Sequence, residues 1–165
     1  MVRDIGCALS LGIPPEYDTE YRSMSTVWSE HPSERGTAMR TIHPEHFPTP
    51  AVPLSHGVRA GDLLFVSGQV ATAADGSVFI GDFAAEVNST IDNVEAVLRA
   101  GGASLADVVK VNAYLANATL FAPFNELYAR RIGDVPPART TVVVDFGHPD
   151  VRVEIEAVAY LGDKD

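Results

Sequence analysis

Two oppositely charged side chains in this 165-residue chain are the best placed to do chemistry. Arg139 follows Pro136-Pro137-Ala138 and opens the β-branched run Thr140-Thr141-Val142-Val143-Val144, while Glu154 lies inside Val151-Arg152-Val153-Glu154-Ile155-Glu156-Ala157-Val158. A guanidinium presents a planar fork that grips a carboxylate through charge-assisted hydrogen bonds worth about 1.5–3 kcal/mol each. A carboxylate nearby can accept a proton or orient a water. If the two runs are paired strands, Arg139 and Glu154 can face one small cavity. The residues alone leave plainer roles open: Arg139 as a surface or interface arginine, Glu154 as a solvated strand residue.

The elements that must carry these side chains are legible in the periodicity. Val151, Val153, Ile155, Ala157 and Ala159 fall on one face of the second run, and Arg152, Glu154, Glu156, Val158 and Tyr160 on the other, as in a half-buried strand. Upstream, Leu54 to Val58 and Leu63 to Ser67 read as a hairpin turning at Arg59-Ala60-Gly61-Asp62. Ser67-Gly68-Gln69 ends or bulges the second of these strands, with Gly68 admitting a close neighbour, and Ser77 to Ile80 reads as a short edge strand. Val87, Ile91, Val94 and Leu98 predict a helix from about Phe83 to Ala100, with Asp82 as N-cap and Gly101-Gly102 as the stop. Ser104 and Asp107 fit a capped single turn. Val108 to Leu115 alternates as a strand with Val109, Val111, Ala113 and Leu115 on one face. A second helix is predicted from about Leu120 to Ile132, with Phe124, Leu127, Tyr128 and Ile132 inward and Pro123 in its first turn.

This order predicts an α+β domain over residues 46–165, with two helices on one face of a mixed sheet. The opposite face mixes Val158 and Tyr160 with charges, and the chain has no further layer to cover it, so burial against other copies is expected. Residues 1–45 show no sustained period and read as an N-terminal extension, with Trp28 its one large anchor for docking on a neighbour and Met24 and Met39 as alternative starts.

Composition narrows the function. A formal net charge of -10 and a pI near 4.8 oppose a broad nucleic-acid surface, and the only lysines are Lys110 and Lys164. A local arginine still suits a small anion. The single cysteine, Cys7, cannot form an internal disulfide. No apolar run approaches the roughly 18 residues a bilayer requires, so the expectation is a cytoplasmic protein without a membrane or nucleic-acid partner. His43 and His46, with Glu45 between them and Cys7 distant, make a poor metal set. Gly57, Gly61 and Gly68 lack the spacing of a phosphate loop, and no metal or cofactor is expected.

Six stretches in order resemble the RidA family, also called YjgF/YER/UK: Gly61-Asp62-Leu63-Leu64-Phe65-Val66-Ser67-Gly68-Gln69; Asn93-Val94-Glu95-Ala96-Val97-Leu98 with Ala100-Gly101-Gly102; Asp107-Val108-Val109-Lys110 with Tyr114-Leu115; Phe124-Asn125-Glu126-Leu127-Tyr128; Pro137-Ala138-Arg139-Thr140; and Val153-Glu154-Ile155-Glu156-Ala157. The resemblance implies a chorismate-mutase-like fold and a homotrimer whose sheets line a central barrel, with clefts between subunits. It implies cofactor-free hydrolysis of reactive enamine and imine intermediates, of the 2-aminoacrylate type or larger 2-imino acids, to 2-oxo acids and ammonia. By the same resemblance Arg139 binds the substrate carboxylate, Glu154 stands near the attacking water, and Ser67 and Asn125 line the pocket. The resemblance breaks at two pocket positions. Leu54 stands where the family has a tyrosine, and Thr141 where it has a cysteine. The first favours bulkier or more apolar substrates; the second excludes a thiolate, which this hydrolysis does not need.

A non-enzymatic protein of the same fold, binding a 2-oxo acid or a protein partner, is the alternative. The ribonuclease and translation-inhibition labels carried by some family names fit poorly with an acidic chain.

Overall fold

Among the described residues six strands share one sheet: β1 Met39–Ile42, β2 Gly57–Ala60, β3 Leu63–Gln69, β4 Val108–Leu115, β5 Ala138–Val143 and β6 Val153–Tyr160, in spatial order β1-β2-β3-β6-β4-β5. Every pairing is antiparallel except β4 with β5. Helix α1 spans Phe83–Ala100 between β3 and β4, and α2 spans Phe121–Ala129 between β4 and β5. Parallel neighbours need a crossover, and α2 with its flanking turns supplies it. The structure is a computed structural model that describes residues 39–73, 76–79 and 81–162. Among these, Thr49–Leu54 falls outside the unit formed by Thr37–Pro48 and Ser55–Asp165. Residues 1–38, with Cys7 and Trp28, lie outside the described residues.

Both helices pack on one face of the sheet. Val87, Ile91, Val94, Val97 and Leu98 of α1 are each at most 3% exposed and meet Leu64, Val66, Val153, Ile155, Ala157 and Ala159 in one core. Each such side chain contributes about 1.5–3 kcal/mol on burial. Asp82 caps α1 by accepting from the Ala85 N–H at 2.8 Å, and Gly101 forms the C-cap. Gly102 then takes φ +86°, a left-handed turn that favours glycine. Ser104 donates its N–H to Asp107 Oδ2 at 2.8 Å, closing the expected single turn before β4.

Several expectations give way to the observed pairing. The strands of Arg139 and Glu154 are not neighbours, because β4 lies between β5 and β6. β6 buries all of Val153, Ile155, Ala157 and Ala159 and so takes a central place, whereas β5, with Val142 and Val143 exposed, takes the edge. A register shift between Val108 and Lys110 buries Val108 and exposes Val109, reversing the expected faces there. The hairpin's first strand begins at Gly57 rather than Leu54. The second helix stops at Ala129, after which the Arg130, Arg131 and Ile132 N–H groups still bond back to Leu127 and Tyr128 carbonyls as a turn. Among the described residues the edge strand expected near Ser77 reduces to one bridge, Thr72 with Val78. β1 falls inside the stretch without periodicity. Its four residues pair with β2 through backbone bonds, which need no side-chain pattern.

A buried ion pair ties α1 to the entry of β6. Glu86, 2% exposed, accepts the Arg152 backbone N–H at 2.8 Å and its Nε at 2.6 Å, while Arg152 Nη2 donates to the Gly81 carbonyl at 2.7 Å. Glu86→Ala is expected to cost about 2–3 kcal/mol in chemical denaturation, below the loss from a fully buried pair because the arginine can rehydrate.

Candidate functional site

Strand register decides which face each charged side chain occupies. Arg139 lies opposite Val111, and Glu154 opposite Tyr114. Val111 and Tyr114 are three residues apart on β4, so they point to opposite faces. Arg139 therefore shares the helix-covered side with buried Val111, and Glu154 the open side with Tyr114. One chain does not bring them together.

On the helix side, Arg139 packs onto α2. Its guanidinium carbon lies 4.7 Å from the Tyr128 ring centroid and 5.4 Å from that of Phe124, and Nη2 donates to Asn125 Oδ1 at 2.5 Å. Helical spacing makes this possible, since Phe124, Asn125 and Tyr128 lie within about one turn. Among the described residues no carboxylate pairs with Arg139. Thr141 follows on the same face of β5, and its Oγ1 is buried without a hydrogen-bond partner, as is the Tyr128 hydroxyl. Burial pushes the Tyr128 pKa up, with the nearby Arg139 charge opposing the shift.

On the open side, Glu154 sits against a bulge in β3. The register of β3 with β6 shifts between Val66 and Gln69, and a Cβ on Gly68 would overlap the Glu154 carboxylate. Glycine leaves room for that close approach. Gln69 braces the bulge from within, its Nε2 donating to the Ser67 carbonyl at 2.9 Å and the Gly68 carbonyl at 3.2 Å. Ser67 donates its hydroxyl to the Ser55 carbonyl at 2.6 Å. Burial, and secondarily the neighbouring Glu156, hold the Glu154 pKa above the usual carboxylate value. Glu156 is well satisfied, its Oε1 accepting from Asn112 Nδ2 at 2.6 Å and from the Tyr114 hydroxyl at 3.0 Å. Tyr114 in turn has its pKa raised by burial and then by this bond. A cleft of about 250 Å³ opens beside this network, lined by Phe65, Ser67, Lys110, Asn112, Glu156 and Val158.

The sequence-derived residues thus separate into two groups. Arg139, Asn125 and Thr141 belong to the α2 side; Glu154 and Ser67 belong to the open side. Leu54 lies in Thr49–Leu54, outside the unit that holds the others, and is 49% exposed. Sequence reasoning placed Phe124 and Tyr128 only as inward helix residues and missed that they underlie Arg139. Their spacing around Asn125 carried the signal. Among the described residues no group of three or more His, Cys, Asp or Glu is arranged to hold a metal ion.

Comparison with known proteins matches residues 44–161 to the family described as Endoribonuclease L-PSP. A RutC family protein of Pyrococcus horikoshii is 40% identical over 120 residues, covering 72% of this chain and 95% of that protein. Among solved structures, RidA from an Antarctic Psychrobacter species is similar at 30% identity with a TM-score of 0.68, covering 73% of this chain and 98% of that one. Escherichia coli TdcF with bound serine is similar at 29% identity with a TM-score of 0.67, over the same shares.

Two outcomes follow from the setting of Glu154. Gly68→Ala meets only the tip of a flexible side chain, so it should shift stability by about 1 kcal/mol or less while displacing the carboxylate, visible as a changed Glu154 pKa by carboxyl NMR. A carboxyl pKa raised in the fold makes the ionised form destabilising above that pKa, and the penalty disappears as pH falls toward the unfolded value, about 4.3. Under conditions where the single chain is the species in solution, Glu154→Gln should therefore raise Tm at pH 7 and give no gain near about pH 4.

Proposed function

The chain belongs to the endoribonuclease L-PSP family, which takes in the RidA, YjgF and RutC proteins, and from that premise we propose that it is a deaminase acting on reactive enamine and imine intermediates. Its substrates are 2-aminoacrylate or larger 2-imino acids, and its products a 2-oxo acid and ammonia. The carrying observation is that Arg139 is half-buried and held by Asn125 and two rings, yet has no carboxylate partner among the described residues. A partly desolvated guanidinium without a counter-ion favours an anion. A substrate carboxylate supplies one.

In this mechanism Arg139 holds the substrate carboxylate, and Ser67, Asn125 and Thr141 lie around the pocket. 2-Aminoacrylate becomes the iminium by taking a solvent proton on its methylene carbon, and water then adds its oxygen to the iminium carbon as Glu154 accepts the water's proton. Glu154 returns that proton to the carbinolamine nitrogen; as the C–N bond breaks and ammonia leaves, the hydroxyl gives its proton to Glu154 and the carbonyl forms. Glu154 suits the proton step because burial raises its pKa toward neutrality. The substrate is already activated, so positioning can supply much of the rate.

Arg139 and Glu154 lie on opposite faces of one chain, so the cleft is built from two copies. The open face supports this reading: Leu63, Phe65, Val142 and Tyr160 lie on it, each 38–44% exposed. A homotrimer closing these faces into a barrel buries that apolar surface and brings one copy's Arg139 toward the next copy's Glu154. Leu54 in place of a tyrosine would favour larger imino acids.

Binding without turnover is a second reading, favoured by the relative TdcF with its bound serine. Ammonia and 2-oxo acid release from freshly generated 2-aminoacrylate distinguishes the two. The wild type should accelerate release over buffer, and Arg139→Ala should lower kcat/KM about 10- to 100-fold, the worth of one charge-assisted bond. Arg139→Lys should fall between them. No acceleration by folded wild type, with 2-oxo acid binding intact, would favour the second reading. In competition, larger 2-imino acids should outpace 2-aminoacrylate; the reverse order would remove the role assigned to Leu54.

A further inference from the structure

We propose that Tyr128, with Phe124 beside it, is a positioning residue that presents the Arg139 guanidinium to an anionic substrate. The proposal rests on the carboxylate-binding reading of Arg139. Arg139 projects from β5, an edge strand with one hydrogen-bonded neighbour among the described residues, so neighbouring strands alone do not orient its long side chain. The Tyr128 ring does. Tyr128 is 6% exposed and Phe124 fully buried, both within the hydrophobic core, and their centroids lie 5.5 Å apart with planes inclined at 38°. Together they make a fixed aromatic floor beneath the cation, closest at Tyr128.

A planar group needs two constraints to fix its orientation: one on its face and one on its edge. Tyr128 supplies the first by a cation–π contact, and Asn125 the second by accepting from Nη2. Nε and Nη1 make no hydrogen bond among the described residues, which leaves donors for an incoming carboxylate. The ring, not the hydroxyl, carries this role, because the Tyr128 hydroxyl has no hydrogen-bond partner. A purely structural tyrosine would behave differently when replaced, since its loss would lower stability and leave substrate affinity alone.

The test compares Tyr128→Phe and Tyr128→Leu in the full chain. It measures Tm, the KM and kcat for imine hydrolysis, and the NMR resonance of the Arg139 Nε–H. Tyr128→Phe should keep the wild-type KM and the ring-current shift of that resonance. Tyr128→Leu should raise KM roughly 3- to 10-fold, the size of one cation–π contact, with kcat within about twofold and the ring-current shift lost. A Leu variant with wild-type KM, or with the Arg139 resonance unmoved, overturns the proposal. If wild type turns over no imine, the hydrolase reading fails and the resonance alone decides: loss of the shift in Tyr128→Leu supports the seat, and retention overturns it. Should Tyr128→Leu fail to fold, Phe124→Leu with the same readouts takes its place, a smaller loss of the shift supporting the seat and an unchanged resonance overturning it.

Discussion

The arrangement of this chain depends on the twofold alternation of side chains along its strands. With β5 parallel and β6 antiparallel to β4, the observed register puts Arg139 opposite Val111 and Glu154 opposite Tyr114. No rotamer change can bring two side chains through a sheet. Each charge is half-buried and lacks an ionic partner within the described chain, so each is costlier to hold alone than with a counter-charge. Opposite unpaired charges on opposite faces suit a surface completed by another copy and by an anionic ligand between them.

The rest of the fold holds these two side chains still. α1 is anchored to the start of β6 through Glu86 and Arg152, and the Ala116 N–H donates to the Arg152 carbonyl at 3.0 Å, so both backbone groups of the residue two before Glu154 are fixed. The β3 bulge, braced by Gln69, opens the notch at Gly68 into which the carboxylate fits. Across the sheet, α2 gives Arg139 both an aromatic floor and an amide edge. Regular secondary structure carries both side chains, which is what positional precision in a catalytic site would demand.

Much of this was legible in the sequence, for reasons that differ by element. α1 was readable to the residue because its apolar stripe, its Asp82 cap and its glycine stop all agree. β4 was equally clear in extent, yet its face was misread at Val109, since a bulge inverts a two-residue period without leaving a mark in composition. The strand neighbours of β5 were not legible at all. Pairing is a long-range choice, and two adjacent β-branched runs look like a hairpin until β4 is seen between them. At the site, the residue types at Arg139, Glu154, Ser67 and Asn125 were visible as motifs, but not their division between two faces. The stack of Arg139 on Tyr128 was hidden because an inward aromatic at helical spacing reads as core, which Tyr128 also is.

The central claim is that Arg139 and Glu154 act together only across two copies of the chain, and subunit complementation tests it most directly. Arg139→Ala and Glu154→Gln proteins, each strongly impaired alone, are unfolded together, refolded as a mixture and assayed for imine hydrolysis. The shared cleft predicts that activity returns, to about a quarter of wild type for random mixing in a cleft built from two subunits. Activity no greater than the sum of the separately refolded variants, in mixtures shown by mass spectrometry to contain hetero-oligomers, would contradict it.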